Sequence, residues 1–154
     1  LNEAIEVAKN ADKIILTVGE HHHMAGEANA RSDIRIPEAQ IKLIDELAKL
    51  NKPMVLLTFA SRPLDLTNVV NKVDGILYVW FLGTISGVAI EKLIYGKVNP
   101  SGKLTMSFPY TVGQVPVYYN CLNTGRPYEK DNFYNFDIHF YSFLFACCLC
   151  RRSV

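Results

Sequence analysis

The feature that most narrows the fold is a rhythm of three short apolar runs, residues 14–18 (IILTV), 54–59 (MVLLTF) and 76–80 (ILYVW), separated by sequence of helical period. Runs of this length without polar alternation read as strands buried on both faces. Leu1, Ala4, Ile5 and Ala8 predict a helix before the first run, and Ile41, Ile44, Leu47 and Ala48 line one face of a helix that starts at Pro37. A short helical stretch at 66–70 precedes the third run, and a helix over 86–95 closes at Gly96, where glycine can take the left-handed conformation. Residues 104–108 alternate like a strand with one wet face. Strands joined by helices are parallel neighbours, so the expected class is α/β: a three-layer sandwich, its sheet mostly parallel, with helices on both faces.

Composition sets the outer limits. A chain of 154 residues with 49% apolar and 20% charged residues is the size of one domain with a real core. The formal net charge is +1 with the signs interspersed, which argues against nucleic acid or an anionic membrane as partner. The chain opens at Leu1, directly in amphipathic sequence, as a fragment would. Cys121, Cys147, Cys148 and Cys150 match neither a disulfide framework nor a paired zinc ribbon.

In α/β sheets ligands gather beyond the carboxyl ends of the strands. Three polar or glycine-marked loops are expected there: Gly19-Glu20, Ser61-Arg62-Pro63 and the stretch after Trp80. The first leads into "GEHHHMAGEANARSD", far longer than the usual connection of about two to six residues. Its residues invite two chemistries. His21, His22 and His23 suggest a metal, but consecutive side chains on an extended segment point to opposite sides, so no metal site is expected and the histidines read as polar loop side chains. Glu20 and Glu27 suggest general acid chemistry, against the alternative of solvated loop carboxylates paired with Arg31 and Arg35. Trp80 suits either a sugar face or the core. No phosphate-cradling loop, nucleophile elbow or Cys-His pair points elsewhere.

Taken in order, the blocks "VGEHHHMAGEANARSDIRIPEAQIKLI", "KPMVLLTFASRPL", "WFLGTISGVAIEKLIYGKVNPSGKLTMSFPYTVGQVPVYYN" and "LNTGRP" resemble the C-terminal α/β sandwich domain of glycoside hydrolase family 3, nearest its bacterial periplasmic β-glucosidase branch. The resemblance covers residues 1–127, read as part of that domain. It implies a retaining hydrolase of β-linked glucosides or oligosaccharides, periplasmic or secreted and without a cofactor, whose active site is shared with an N-terminal β/α barrel that carries the aspartate nucleophile. Glu27 matches the family's acid/base glutamate, and retention requires the two carboxyl groups about 5–5.5 Å apart. Glu20 matches a position of structural character that anchors the loop; His21, His22, His23, Met24, Arg62 and Trp80 become candidate substrate contacts.

The sequence departs from the family pattern in three places. Ile85 stands where the family's Trp-x-x-Gly-x-Glu block has glutamate, and Ser61 replaces the glycine of Gly-Arg-Pro. Residues 128–154 lack the expected Tyr-Pro-Phe-Gly segment and place seven of the 17 aromatic residues between Phe133 and Phe145. That composition is expected of a truncated or frame-shifted tail, with no place in the sheet; its apolar stretch is too short to span a membrane, which takes about 20 residues. With half a site, the chain could alternatively be a sugar-binding or interaction module without chemistry, or a degenerate gene product.

Overall fold

The computed structural model describes residues 1–118 and 120 in full and the backbone of 148–150. Helix α1 (Asn2–Lys9) leads into strand β1 (Ile14–Gly19), followed by the long loop, helix α2 (Glu38–Ala48), strand β2 (Met54–Phe59), strand β3 (Gly75–Tyr78) and helix α3 (Ser86–Ile94). β1 pairs in parallel with β2 from Ile14↔Met54 to Gly19↔Phe59, and β2 with β3 from Val55↔Gly75 to Thr58↔Tyr78. All three carboxyl ends therefore reach one edge of the sheet.

The two faces of the sheet are covered by different helices. Met54, Leu56, Ile76 and Tyr78 alternate onto the face that packs with Ala8 of α1 and Ile44 and Leu47 of α2. Leu57, Leu77 and Val79 point the other way and meet Ile90 of α3. Double-faced burial is what makes β2 and β3 near-continuous apolar runs. Ile44, Leu56 and Leu64 are wholly shielded from water, where truncation to alanine costs about 2–5 kcal/mol. β1 is half-covered: Ile15 is exposed.

Three departures from expectation stand out. Residues 104–108 form no strand; Leu104 and Phe108 pack against the core while Thr105 and Met106 stay exposed, so their alternation anchors an irregular segment at its two ends. The stretch expected to be helical at 66–70 is a turn followed by a single 3-10 turn, Val70–Lys72. Finally, the tail contributes to the sheet: strand β4 (Cys148–Cys150) pairs antiparallel with β3, Gly75↔Cys150 to Leu77↔Cys148, completing the order β1-β2-β3-β4. The aromatic run at 133–145 lies outside the described residues. Gly96 closes α3 at φ 68 as expected. Among the described residues no helix is long and apolar enough to cross a membrane.

Candidate active site

The site begins where β1 ends. Gly19 takes φ 132, and a Cβ there would lie 1.8 Å from the Phe59 carbonyl oxygen, so only glycine lets β1 approach β2 this closely. The side-chain amide of Gln40, on α2, clamps the same residue: the Gly19 N–H donates to Gln40 Oε1 at 2.8 Å and Gln40 Nε2 donates to the Gly19 carbonyl at 3.1 Å. The Glu20 N–H then donates to the Phe59 carbonyl at 2.8 Å, which turns its side chain inward rather than into the loop.

The Glu20 carboxylate is completely shielded from solvent and satisfied on both oxygens. Arg31 Nη1 donates to Oε1 at 2.9 Å, and Arg62 Nη1 lies 3.0 Å from the same oxygen. The Arg62 contact is a charge pair whose alignment falls short of a hydrogen bond, since Nη1 has no aligned acceptor. Oε2 accepts from the Ser61 N–H at 3.0 Å and the Ser61 hydroxyl at 3.1 Å. A buried charge needs such partners, because the desolvation cost is otherwise several kcal/mol. One carboxylate thus ties β1 to the loop after β2 and, through Arg31, to the far side of its own loop.

The return of the loop is fixed as firmly. Arg31 Nη2 donates to the Arg35 carbonyl at 3.1 Å, Arg35 forms a parallel bridge with Asp65, and the Asp65 N–H donates to the Ile34 carbonyl at 3.0 Å. Ile36 is buried immediately afterwards. Arg35 also pairs with Asp33, whose carboxyl is held well below the usual range by the hydrogen bonds from Arg35.

Between these anchors the loop rises into solvent. Ala25 is buried and Met24 half-buried, while His21, His22, His23 and Glu27 are exposed. Glu27 sits at the corner of a turn closed by the Asn29 N–H on the Gly26 carbonyl at 3.2 Å, and Asn29 Nδ2 donates to the Ala25 carbonyl at 3.0 Å. The turn demands positive φ at Gly26 (103) and at Ala28 (63); for alanine this conformation costs about 1–2 kcal/mol. The strain adjoins the one carboxylate of the loop that no anchor engages.

The histidines contradict the extended geometry expected of them. Residues His22–Met24 form a 3-10 turn with His21 as its cap, His21 Nδ1 accepting the His23 N–H at 3.3 Å. Ring centroids lie 4.0, 3.9 and 5.1 Å apart, so the three imidazoles gather instead of diverging. Desolvation, and then the charges of His22 and His23, lower the His21 pKa from its ordinary value.

Two aromatic residues, Tyr78 and Trp80, lie at the end of β3. The Tyr78 phenol donates to the Arg62 carbonyl at 2.5 Å and accepts the Leu64 N–H at 3.2 Å, thereby holding the loop that carries Ser61 and Arg62. Burial pushes the Tyr78 pKa up. Trp80 stands at φ 55, an outlier for so bulky a residue, and packs edge-on against Tyr78 at 4.7 Å. It is half-buried against the core rather than free. Gln40 and Tyr78 were not among the candidates read from sequence; nothing local distinguishes a helical glutamine or a strand tyrosine that acts on backbone 21 or 16 residues away.

Fold and site together define an α/β domain that extends an acidic loop on a buried ionic base beyond its strand ends. The chain belongs to glycoside hydrolase family 3: residues 1–141 match the Glycosyl hydrolase family 3 C-terminal domain. It is 49% identical over 136 residues to the Periplasmic beta-glucosidase of Salmonella typhimurium, covering 87% of this chain and 18% of that protein. Over 117 residues it is 42% identical to a Beta-xylosidase of Formosa agariphila, covering 76% and 16% respectively. Among solved structures, the beta-glucosidase from Listeria innocua in complex with isofagomine superposes with a TM-score of 0.78 at 41% identity, over 88% of this chain and 20% of that one. The chain thus spans about a fifth of the length of these relatives.

Proposed function

We propose that this chain supplies the acid/base arm of a retaining β-glucosidase, Glu27 protonating the leaving oxygen and then activating water, while an N-terminal β/α barrel supplies the aspartate nucleophile. The observation that carries this reading is the contrast between two carboxylates on one loop. Glu20 is consumed by four buried contacts, whereas Glu27 is exposed on a turn whose base is fixed. A site completed by a second domain needs such an arm, because general acid–base catalysis requires a carboxyl within hydrogen-bond reach of the reacting oxygen.

The substrate is a β-linked glucoside or oligosaccharide, a class supported by the names of the Salmonella and Listeria relatives. His21 to Met24, Arg62 and Trp80 are the sugar contacts in this reading; Glu20 is the anchor. The Salmonella relative's name supports a location outside the cytoplasmic membrane. Residues 1–154 produced alone should hydrolyse no glucoside, since covalent catalysis needs both carboxylates and the nucleophile in this reading belongs to the barrel.

The test is to graft residues 1–127 into the Salmonella enzyme in place of its matched segment. Glu27→Ala in the graft should slow an unactivated disaccharide by roughly 10²–10⁴-fold and the glycosylation step of a dinitrophenyl glucoside far less. Equal losses on both substrates would refute the assignment.

A further inference from the structure

We propose that His21, His22 and His23 form a three-imidazole binding site for a divalent transition-metal ion of the zinc, copper or nickel class. One coordinating nitrogen from each ring lies within 4.8 Å of the others. Bonds of about 2.0–2.1 Å to a shared ion place ligand nitrogens roughly 3–3.5 Å apart. All three side chains are exposed, so their rings can rotate toward a shared ion.

The turn supplies this arrangement. An extended segment would send alternate rings to opposite sides, whereas the 3-10 turn over His22–Met24 gathers all three on one side. The rings are tilted by 42 to 44° to one another rather than stacked. His21 Nδ1 has its lone pair available, as its acceptance of the His23 N–H shows, and at 3.3 Å that bond is long enough for a metal to displace it.

The donor set selects the metal. Three imidazoles without a carboxylate suit zinc, copper and nickel, whereas calcium and magnesium require oxygen ligands. All three histidines face solvent, so water completes the coordination sphere. The site involves neither Glu20 and its partners nor Glu27; its rings are those assigned above to sugar contact, and because the titration is run without sugar its outcome does not depend on that assignment.

Calorimetric titration of the full chain with nickel tests this, after alkylation of its four thiols, which would compete for the ion. One ion should bind per chain in the micromolar range, and magnesium should not bind. Copper in its place should give an electron paramagnetic resonance spectrum with coupling to three nitrogens. His22→Asn should weaken nickel binding about tenfold or more, and the His21→Asn/His22→Asn/His23→Asn triple variant should abolish it. His139→Asn, which alters the fourth histidine of the sequence, should bind as the parent does. Unchanged affinity in the triple variant, loss of binding in His139→Asn, or binding no tighter than millimolar in the parent would each overturn the proposal.

Discussion

Ser61 and Glu20, 41 residues apart in the chain, are joined twice: the Ser61 main-chain N–H and its hydroxyl both donate to Glu20 Oε2, at 3.0 and 3.1 Å. The Ser61 hydroxyl adds a donor that a glycine at this position would lack. Arg31 and Arg62 take the other oxygen, so the carboxylate is the point at which two strand-end loops meet. Glu20→Ala would leave both guanidinium groups without their anion, a defect that costs about 3–5 kcal/mol when one partner of a buried pair is removed. Glu27→Ala, on the exposed turn, should stay within about 0.5 kcal/mol of the parent. Urea denaturation of the two variants separates these roles; equal midpoints would show that Glu20 anchors nothing.

Gly19 makes a sharper demand. A methyl group there meets the Phe59 carbonyl oxygen at 1.8 Å and its carbon at 2.6 Å, both rigid backbone of the neighbouring strand. Gly19→Ala should therefore break the β1–β2 pairing where the loop departs, costing more than about 4 kcal/mol and leaving the chain largely insoluble. A soluble variant with an unshifted melting temperature would contradict the geometry.

The sheet was legible because β2 and β3 are covered on both faces, which forces unbroken apolar sequence. Residues 104–108 misled because their alternation reflects only two buried side chains, Leu104 and Phe108, without a ladder between them among the described residues. The three-residue β4 carries too little pattern to be read as a strand. At the site, the length of the loop and its two glutamates could be read directly, but the burial of one and the exposure of the other are visible only in the structure. The histidine turn escaped for a physical reason: it is closed by an imidazole accepting a backbone N–H two residues on, a bond that leaves no spacing signature. Gln40 and Tyr78 escaped because their hydrogen bonds reach backbone far away in sequence.

Tyr78 gives the fold a dependence on alkaline pH. In the unfolded chain a tyrosine ionises near pH 10, but burial raises its pKa in the folded state. Its contribution is therefore fully present below about pH 10 and is lost as pH climbs through the folded-state value, because the unfolded chain releases the proton first. Tyr78→Phe should lose about 1–3 kcal/mol at neutral pH, as the Arg62 carbonyl and Leu64 N–H lose their partner. The variant should also show a shallower decline in stability above pH 10. Chemical denaturation from pH 7 to 11 checks both, and parallel curves for parent and variant would rule out Tyr78 as the source.

The assignment of the two carboxylates has a chemical test that stability cannot mimic. If Glu27 is the acid/base, its removal from the grafted enzyme leaves the nucleophile able to form a glycosyl-enzyme from a dinitrophenyl glucoside, whose leaving group needs no proton. Breakdown of that intermediate then lacks a base to activate water. Azide needs no such base, so it should accelerate turnover by Glu27→Ala and give a glycosyl azide of retained configuration. Glu20→Ala should respond differently, because removing the anchor disturbs the loop while Glu27 is still present to activate water. Its activity should fall together with its melting temperature, and azide should not restore it. Rescue of Glu20→Ala with no effect on Glu27→Ala would reverse the roles, and failure of azide with both would remove Glu27 from the chemistry.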